Sequence, residues 1–118
     1  MGAELTNKQS YDLGLVSRNA PRASAILKAM SNHHRLLILC QLVNGEKSVG
    51  QLEEYIGLSQ SALSQHLAKL RREDLVKTRR QAQTIFYSLD GDEATSIIKA
   101  LYVICTVAED DIEQSAFG

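Results

Sequence analysis

The segment that begins at Ser48 contains two short helical patterns joined at a glycine, and it constrains the fold more than any other part of the chain. Ser48 and Gln51 match the S-x-x-Q capping box, in which a hydroxyl and an amide bind backbone groups at a helix start. Gly57 allows a sharp exit from that helix, and Ser59 is a good N-cap for the next. Two short helices joined in this way are typical of a helix-turn-helix, which we predict over residues 48–71.

The second of these helices has one apolar face and one unusual polar face. Leu63, Leu67 and Leu70 follow the i, i+4, i+7 spacing of a buried stripe. The opposite face is polar but uncharged near its start, whereas a merely solvated helix would more often carry Glu and Lys there. Amides and hydroxyls both donate and accept hydrogen bonds, as reading base edges in a major groove requires. The predicted base-reading residues are Gln60, Ser61, Ser64 and Gln65.

After Asp74 the pattern changes to alternation, which predicts a β-hairpin over residues 75–89. Its tip falls near Gln81 to Gln83, and the absence of glycine there argues against a tight two-residue turn. A helix-turn-helix whose second, base-reading helix is followed by a β-hairpin is the winged form of the motif. The expected fold class is therefore mainly α with a small β-hairpin.

Charge is distributed unevenly along the chain. The net charge is −1, but residues 59–89 carry six cations and two acids, whereas residues 90–118 carry seven acids and one lysine. A cationic segment in an acidic chain is a candidate surface for a polyanion. Its cations cluster at the end of the second helix and on the hairpin, where the phosphates of bound DNA would lie. Besides the base-reading residues, the candidate DNA contacts are Ser59, His66, Lys69, Arg71, Arg79, Arg80 and Gln83.

The remaining segments are expected to be helical, and the 118 residues fit a single domain, 1–118, with one core. A loosely amphipathic segment covers Lys8 to Arg18, and a second helix begins near Pro21 with Ile26, Leu27 and Met30 facing inward. A third helix runs from Ser31 or Asn32 to Val43. The last helix, over residues 90–114, carries an apolar stripe of Ile97, Leu101, Ile104, Cys105, Ala108 and Ile112.

The chain has no apolar run long enough to cross a bilayer and no signal-peptide pattern at its start, so we expect no membrane partner and a cytoplasmic location. In that compartment a bond between the two cysteines would be conditional. From the residues alone, Cys40 within "LLILCQLV" is more readily explained as a small apolar core residue. No Cys-x-x-Cys, phosphate loop or nucleophile elbow points to an enzyme, and we expect no cofactor.

The stretch from Leu27 to Leu89 resembles the ArsR/SmtB family of winged-helix repressors, and the similarity extends into the last helix. Its most specific element is "SQSALSQHLAKLRREDLV", which matches the family's S-x-H-L-x-x-L pattern at Ser64, His66, Leu67 and Leu70. The resemblance implies a homodimer through the N- and C-terminal helices. It also implies an inducer that weakens DNA binding, and an inverted-repeat double-stranded DNA operator with half-sites about one helical turn apart.

Two metal-sensing types of this family lack their ligands here. The arsenic type carries Cys-x-Cys on the helix that here reads Ile38-Leu39-Cys40, so one ligand is missing. The zinc type places Asp and His along the last helix, but no histidine follows Asp90. Soft metals need several thiolates or imidazoles at close range, and we assign no metal ligands.

"RLLILCQLV" and "ALYVIC" are similar to the BigR/HlyU/SqrR branch of the family. That resemblance implies that Cys40 and Cys105 sense persulfides or polysulfides, the reactive sulfur species, and that a bridge between them changes DNA affinity. A direct disulfide needs Cα atoms within ~7 Å, a limit that inserted sulfur atoms relax. The alternative is an ArsR-type repressor that responds to a metal ion or to general oxidants, and direct repression and displacement of another repressor both stay open.

Overall fold

The structure, a computed structural model, describes the backbone of residues 10–117 and the side chains of residues 10–110. Within these residues the chain forms five helices and a three-stranded antiparallel sheet of order β1-β3-β2. The predicted winged helix-turn-helix is confirmed. The elements are α1 (Leu13–Met30), α2 (His33–Val43), β1 (Lys47–Ser48), α3 (Val49–Ile56), α4 (Gln60–Arg72), β2 (Val76–Gln81), β3 (Thr84–Leu89) and α5 (Glu93–Phe117).

The core forms around α2 and α4. Ile38 and Leu39 of α2 are completely buried, and the three leucines predicted to face inward from α4 lie against the same cluster. Burying a leucine or isoleucine side chain contributes roughly 1.5–3 kcal/mol. The face of α4 that is predicted to read bases is therefore presented by a helix whose opposite face is fixed in the core.

Helix α1 differs from the prediction, because Pro21 lies inside it instead of near the start of a second helix. The side chain of Asp12 caps α1 by accepting from the backbone N–H groups of Gly14 and Leu15. Proline has no N–H to donate to the carbonyl of Ser17, four residues earlier. That carbonyl lies in an exposed segment where water can replace the missing donor, so the helix can continue through Pro21. Ile26 and Met30 are buried as expected, but Leu27 is 57% exposed. The part of the predicted first segment before residue 10 lies outside the described residues.

The sheet contains two features that the sequence did not predict. Residues 47–48 form a third strand, with Ser48 opposite Phe86. Gln81 pairs with Thr84, so the wing turns through only two residues, Ala82 and Gln83. The expectation of a longer turn was wrong because Ala82 takes the left-handed φ of 56° without being glycine.

Helix α5 starts at Glu93 and continues past the predicted end at residue 114. Ile97 packs on the core, but Ile104, Cys105 and Ala108 are exposed on the isolated chain. The side chain of Ile112 lies outside the described part. None of the helices in the described region combines the length and apolarity that a bilayer crossing requires.

Candidate DNA interface and thiol pair

Local capping interactions position the helix-turn-helix as predicted. The hydroxyl of Ser48 accepts from the backbone N–H of Gln51 at 3.1 Å, and the amide oxygen of Gln51 accepts from the backbone N–H of Ser48 at 2.8 Å. Gly57 has a φ of 79° and donates its N–H to the carbonyl of Glu53. These contacts fix where α3 begins and ends, and so set the direction in which α4 leaves the turn.

The four predicted base-reading side chains, Gln60, Ser61, Ser64 and Gln65, are all exposed on α4. The hydroxyl of Ser59 accepts from the backbone N–H of Ala62 at 3.3 Å, so it caps the helix while its own proton stays available to a ligand. Lys69 is half-buried and Arg71 is exposed in the last turn of the helix. The structure thus arranges polar groups at the start of α4 and cations at its end.

His66 does not share the open face of its neighbours. Its ring is half-buried, and its centroid lies 5.6 Å from that of His34 at the start of α2. Burial, together with the charges of Arg35 and His34, lowers the pKa of His66. In the part of the chain that the structure describes, no three His, Cys, Asp or Glu side chains cluster as a metal site.

The wing brings further predicted residues toward α4. Gln60 of α4 and Gln83 of the wing tip line one groove of about 470 Å³ beside the capped start of α3. Arg80 is exposed on β2. Arg79 is also exposed, but its guanidinium binds Glu46 through two nitrogen–oxygen contacts of 2.9 and 2.8 Å. This ion pair links residues far apart in sequence, and no local pattern signals it.

Cys40 and Cys105 line the same apolar cavity between α2 and α5. Cys40 is half-buried, Cys105 is exposed, and both are free thiols. Burial, and secondarily the proximity of Cys105, raises the pKa of the Cys40 thiol. The cavity has a volume of about 270 Å³ and is lined by Leu36, Cys40, Ile98, Leu101, Tyr102 and Cys105. The fold therefore brings together two thiols that are far apart along the chain.

A second long-range ion pair joins three helices and was also missed from the sequence. Arg22 of α1 donates to Glu93, in the first turn of α5, at 2.7 Å. Its other terminal nitrogen lies 3.7 Å from Glu73, the C-cap of α4. The start of the helix that carries Cys105 is thereby connected to the end of α4.

Comparison with known proteins gives one consistent result. Residues 32–78 match the family described as "Bacterial regulatory protein, arsR family". The chain is 52% identical over 87 residues to the "Transcriptional activator HlyU" of Vibrio cholerae, which covers 74% of this chain and 81% of that protein. It is 44% identical to a "Biofilm growth-associated repressor" of Xylella fastidiosa, covering 77% of this chain and 81% of the relative.

Solved structures agree with the sequence matches. The reduced form of HlyU from Vibrio cholerae superposes with a TM-score of 0.72 at 50% identity, covering 75% of this chain and 94% of that one. The transcriptional repressor BigR from Xylella fastidiosa gives a TM-score of 0.77 at 40% identity, covering 80% and 96% respectively. Both matches span nearly all of the solved chain, so the similarity extends beyond the helix-turn-helix.

Proposed function

This chain belongs to the ArsR family of bacterial regulatory proteins, and from that premise we propose that it is a dithiol-based transcriptional regulator. Its DNA affinity changes when reactive sulfur species bridge Cys40 and Cys105. The main support for the proposal is an apolar cavity between α2 and α5 that is lined by both thiols.

The DNA-binding part of the proposal rests on α4 and the wing. Four exposed polar residues near the start of α4 read base edges in the major groove. Contacts to phosphates then fix the register of the protein on the duplex. The proposed base-reading residues are Gln60, Ser61, Ser64 and Gln65, and the other proposed DNA-binding residues are Ser59, His66, Lys69, Arg71, Arg80 and Gln83.

We further propose a homodimer through α1 and α5. Both helices leave large apolar side chains exposed on the isolated chain, and such surfaces are typical of interaction sites. A two-fold axis would place two copies of α4 on successive turns of an inverted-repeat operator. The exposed apolar residues on these helices are Leu13, Leu15, Val16, Leu27, Tyr102, Val103, Ile104 and Val107.

The chemistry follows from the different surroundings of the two thiols. Cys105 is exposed, so its thiolate attacks the central sulfur of an organic trisulfide, R–S–S–S–R, and expels R–S⁻. The Cys40 thiolate then attacks that former central sulfur and expels the second R–S⁻, which leaves Cys40 and Cys105 joined through it. The two cysteines lose two electrons and two protons, and the trisulfide is reduced to two thiols. The cavity provides room for the inserted sulfur.

A bridge between the two cysteines would affect DNA binding through the packing of helices in the core. Helix α2 carries Cys40 on one side and packs against α4 on the other. A bond between α2 and α5 therefore couples the proposed dimer helix to the base-reading helix. A coupling of about 1–3 kcal/mol changes operator affinity roughly 5- to 150-fold, enough for a transcriptional switch.

Two serine variants test this proposal. We expect Cys40→Ser and Cys105→Ser to bind operator DNA as the reduced wild type does, because neither thiol lies on the DNA-facing surface. After treatment with glutathione trisulfide, only the wild type and a matched Thr106→Ser control should release the operator. Fluorescence anisotropy of a labelled operator measures the release.

Release of the operator by either cysteine variant would contradict the proposal. Parallel titrations with zinc, arsenite and hydrogen peroxide separate it from a metal sensor and from a general oxidant sensor. A regulator that binds genomic DNA would act in the cytoplasm, the location expected from the sequence. That location, and the absence of a membrane partner, a cofactor and an enzymatic activity, all stay predictions.

A further inference from the structure

Arg79 on β2 uses all three of its guanidinium nitrogens within the protein. Nε and one terminal nitrogen donate to the two carboxylate oxygens of Glu46, at 2.9 and 2.8 Å. The other terminal nitrogen donates to the side-chain oxygen of Gln81 at 2.9 Å. The guanidinium carbon also lies 4.6 Å from the centre of the Phe86 ring. A planar group held by two parallel hydrogen bonds and a ring contact is fixed in orientation as well as position.

The strand register shows what this ion pair connects. Phe86 of the central strand β3 lies opposite Arg79 on one side and opposite Ser48 on the other. Glu46 immediately precedes β1, so its bond to Arg79 links the two outer strands across β3. Ser48 is both the last residue of β1 and the N-cap of α3. The ion pair therefore connects the wing to the point where the helix-turn-helix begins.

We propose that Glu46 and Arg79 form a clamp that holds the wing at a fixed angle to the helix-turn-helix. In this arrangement Arg79 is a positioning residue for DNA binding and does not itself contact phosphate. The clamp keeps Gln83 at the wing tip beside Gln60 at the start of α4, across the groove that both line. The inference rests on the proposed DNA-binding function but not on sulfur sensing.

A purely electrostatic model and the clamp predict opposite changes in DNA affinity when the charge of Glu46 is removed. Removing a negative charge near a DNA-facing surface should strengthen binding to a polyanion if electrostatics alone decides. The same change also frees Arg79 to reach a phosphate. If the carboxylate instead holds the wing in place, its removal weakens binding. The sign of the effect of Glu46→Gln therefore distinguishes a clamp from a competing charge.

A second variant separates the shape of Arg79 from its charge. Arg79→Lys keeps the cation but cannot form the paired hydrogen bonds to Glu46. A clamp would fail in this variant, whereas a phosphate contact would survive. Arg18→Lys is the matched control, because Arg18 is exposed on α1 and belongs neither to the clamp nor to the proposed DNA-binding residues. An exposed ion pair contributes about 0–1 kcal/mol, so all three variants should fold.

The experiment measures the affinity of the reduced proteins for a duplex that the wild type has selected from random-sequence DNA, at several salt concentrations. We expect Glu46→Gln and Arg79→Lys to bind several-fold more weakly with an unchanged salt slope, and Arg18→Lys to stay near the wild type. If each protomer of a dimer instead gave up one phosphate interaction, the salt slope would fall by about two. Tighter binding by Glu46→Gln, or an Arg79→Lys variant that matches Arg18→Lys, would overturn the clamp. Failure of the wild type to select any duplex would contradict the proposed function instead.

Discussion

At the scale of single residues, the two thiols lie in different surroundings. Cys105 is exposed, whereas burial raises the pKa of the Cys40 thiol. Because the thiolate is the nucleophile, this difference favours a sequence in which Cys105 reacts first and Cys40 closes the bridge.

The raised pKa of the Cys40 thiol and the exposure of Cys105 predict how each cysteine reacts when the other is replaced by serine. In Cys105→Ser, alkylation of Cys40 should be slow at neutral pH and should accelerate about tenfold per pH unit until the pH passes the usual thiol range near 8.5. Burial is the larger cause of the shift and remains in this variant. In Cys40→Ser, exposed Cys105 should react faster at neutral pH. Mass spectrometry of samples quenched over time gives both rates, and a Cys40 rate that levels off at or below about pH 8.5 would contradict the prediction.

At the scale of the elements, the wing turn carries a local strain that can be removed. Ala82 has a φ of 56°, which costs a residue with a Cβ about 1–2 kcal/mol. Ala82→Gly removes that cost but adds backbone freedom to the unfolded chain, worth about 0.5–1 kcal/mol. We expect a net gain in unfolding free energy of about 0.5–1 kcal/mol, which urea titration can measure.

The neighbouring position provides the control for this turn. Gln83 is not in the left-handed region, so Gln83→Gly gains no relief of strain and should lose about 0.5–1 kcal/mol of stability. Equal effects of the two substitutions would show that the turn is not strained at Ala82.

The elements also show which parts of the fold the sequence predicts. The capping box at Ser48, the glycine at Gly57 and the leucine stripe of α4 depend on neighbours within four residues, and all are confirmed. Pro21 was misinterpreted because tolerance of an interior proline depends on whether the freed carbonyl meets water, which only the tertiary fold decides. The strand at residues 47–48 was missed because two residues carry no alternation.

At the scale of the whole molecule, sequence patterns indicated which residues could have a functional role but not which of them lie close together in the fold. The shared cavity of Cys40 and Cys105 results from the packing of α5 on α2, and only the family resemblance pointed to that pairing. The pairing of Arg79 with Glu46 had no signal of any kind, because opposite charges 33 positions apart occur in most chains. The contact between Arg79 and Glu46 is the basis for the proposed clamp, and the sequence-based assignment of Arg79 to DNA stays a prediction.

The intact mass of the wild-type protein after exposure to glutathione trisulfide, with residual thiols then alkylated, tests directly whether Cys40 and Cys105 form a bridge. We expect a protomer-sized species that carries no alkyl groups, has at least one added sulfur and has lost two hydrogens. Proteolysis should then yield one peptide pair that links Cys40 to Cys105. Protomers that carry glutathione on one cysteine and an alkyl group on the other, with no cross-link inside the chain, would contradict it.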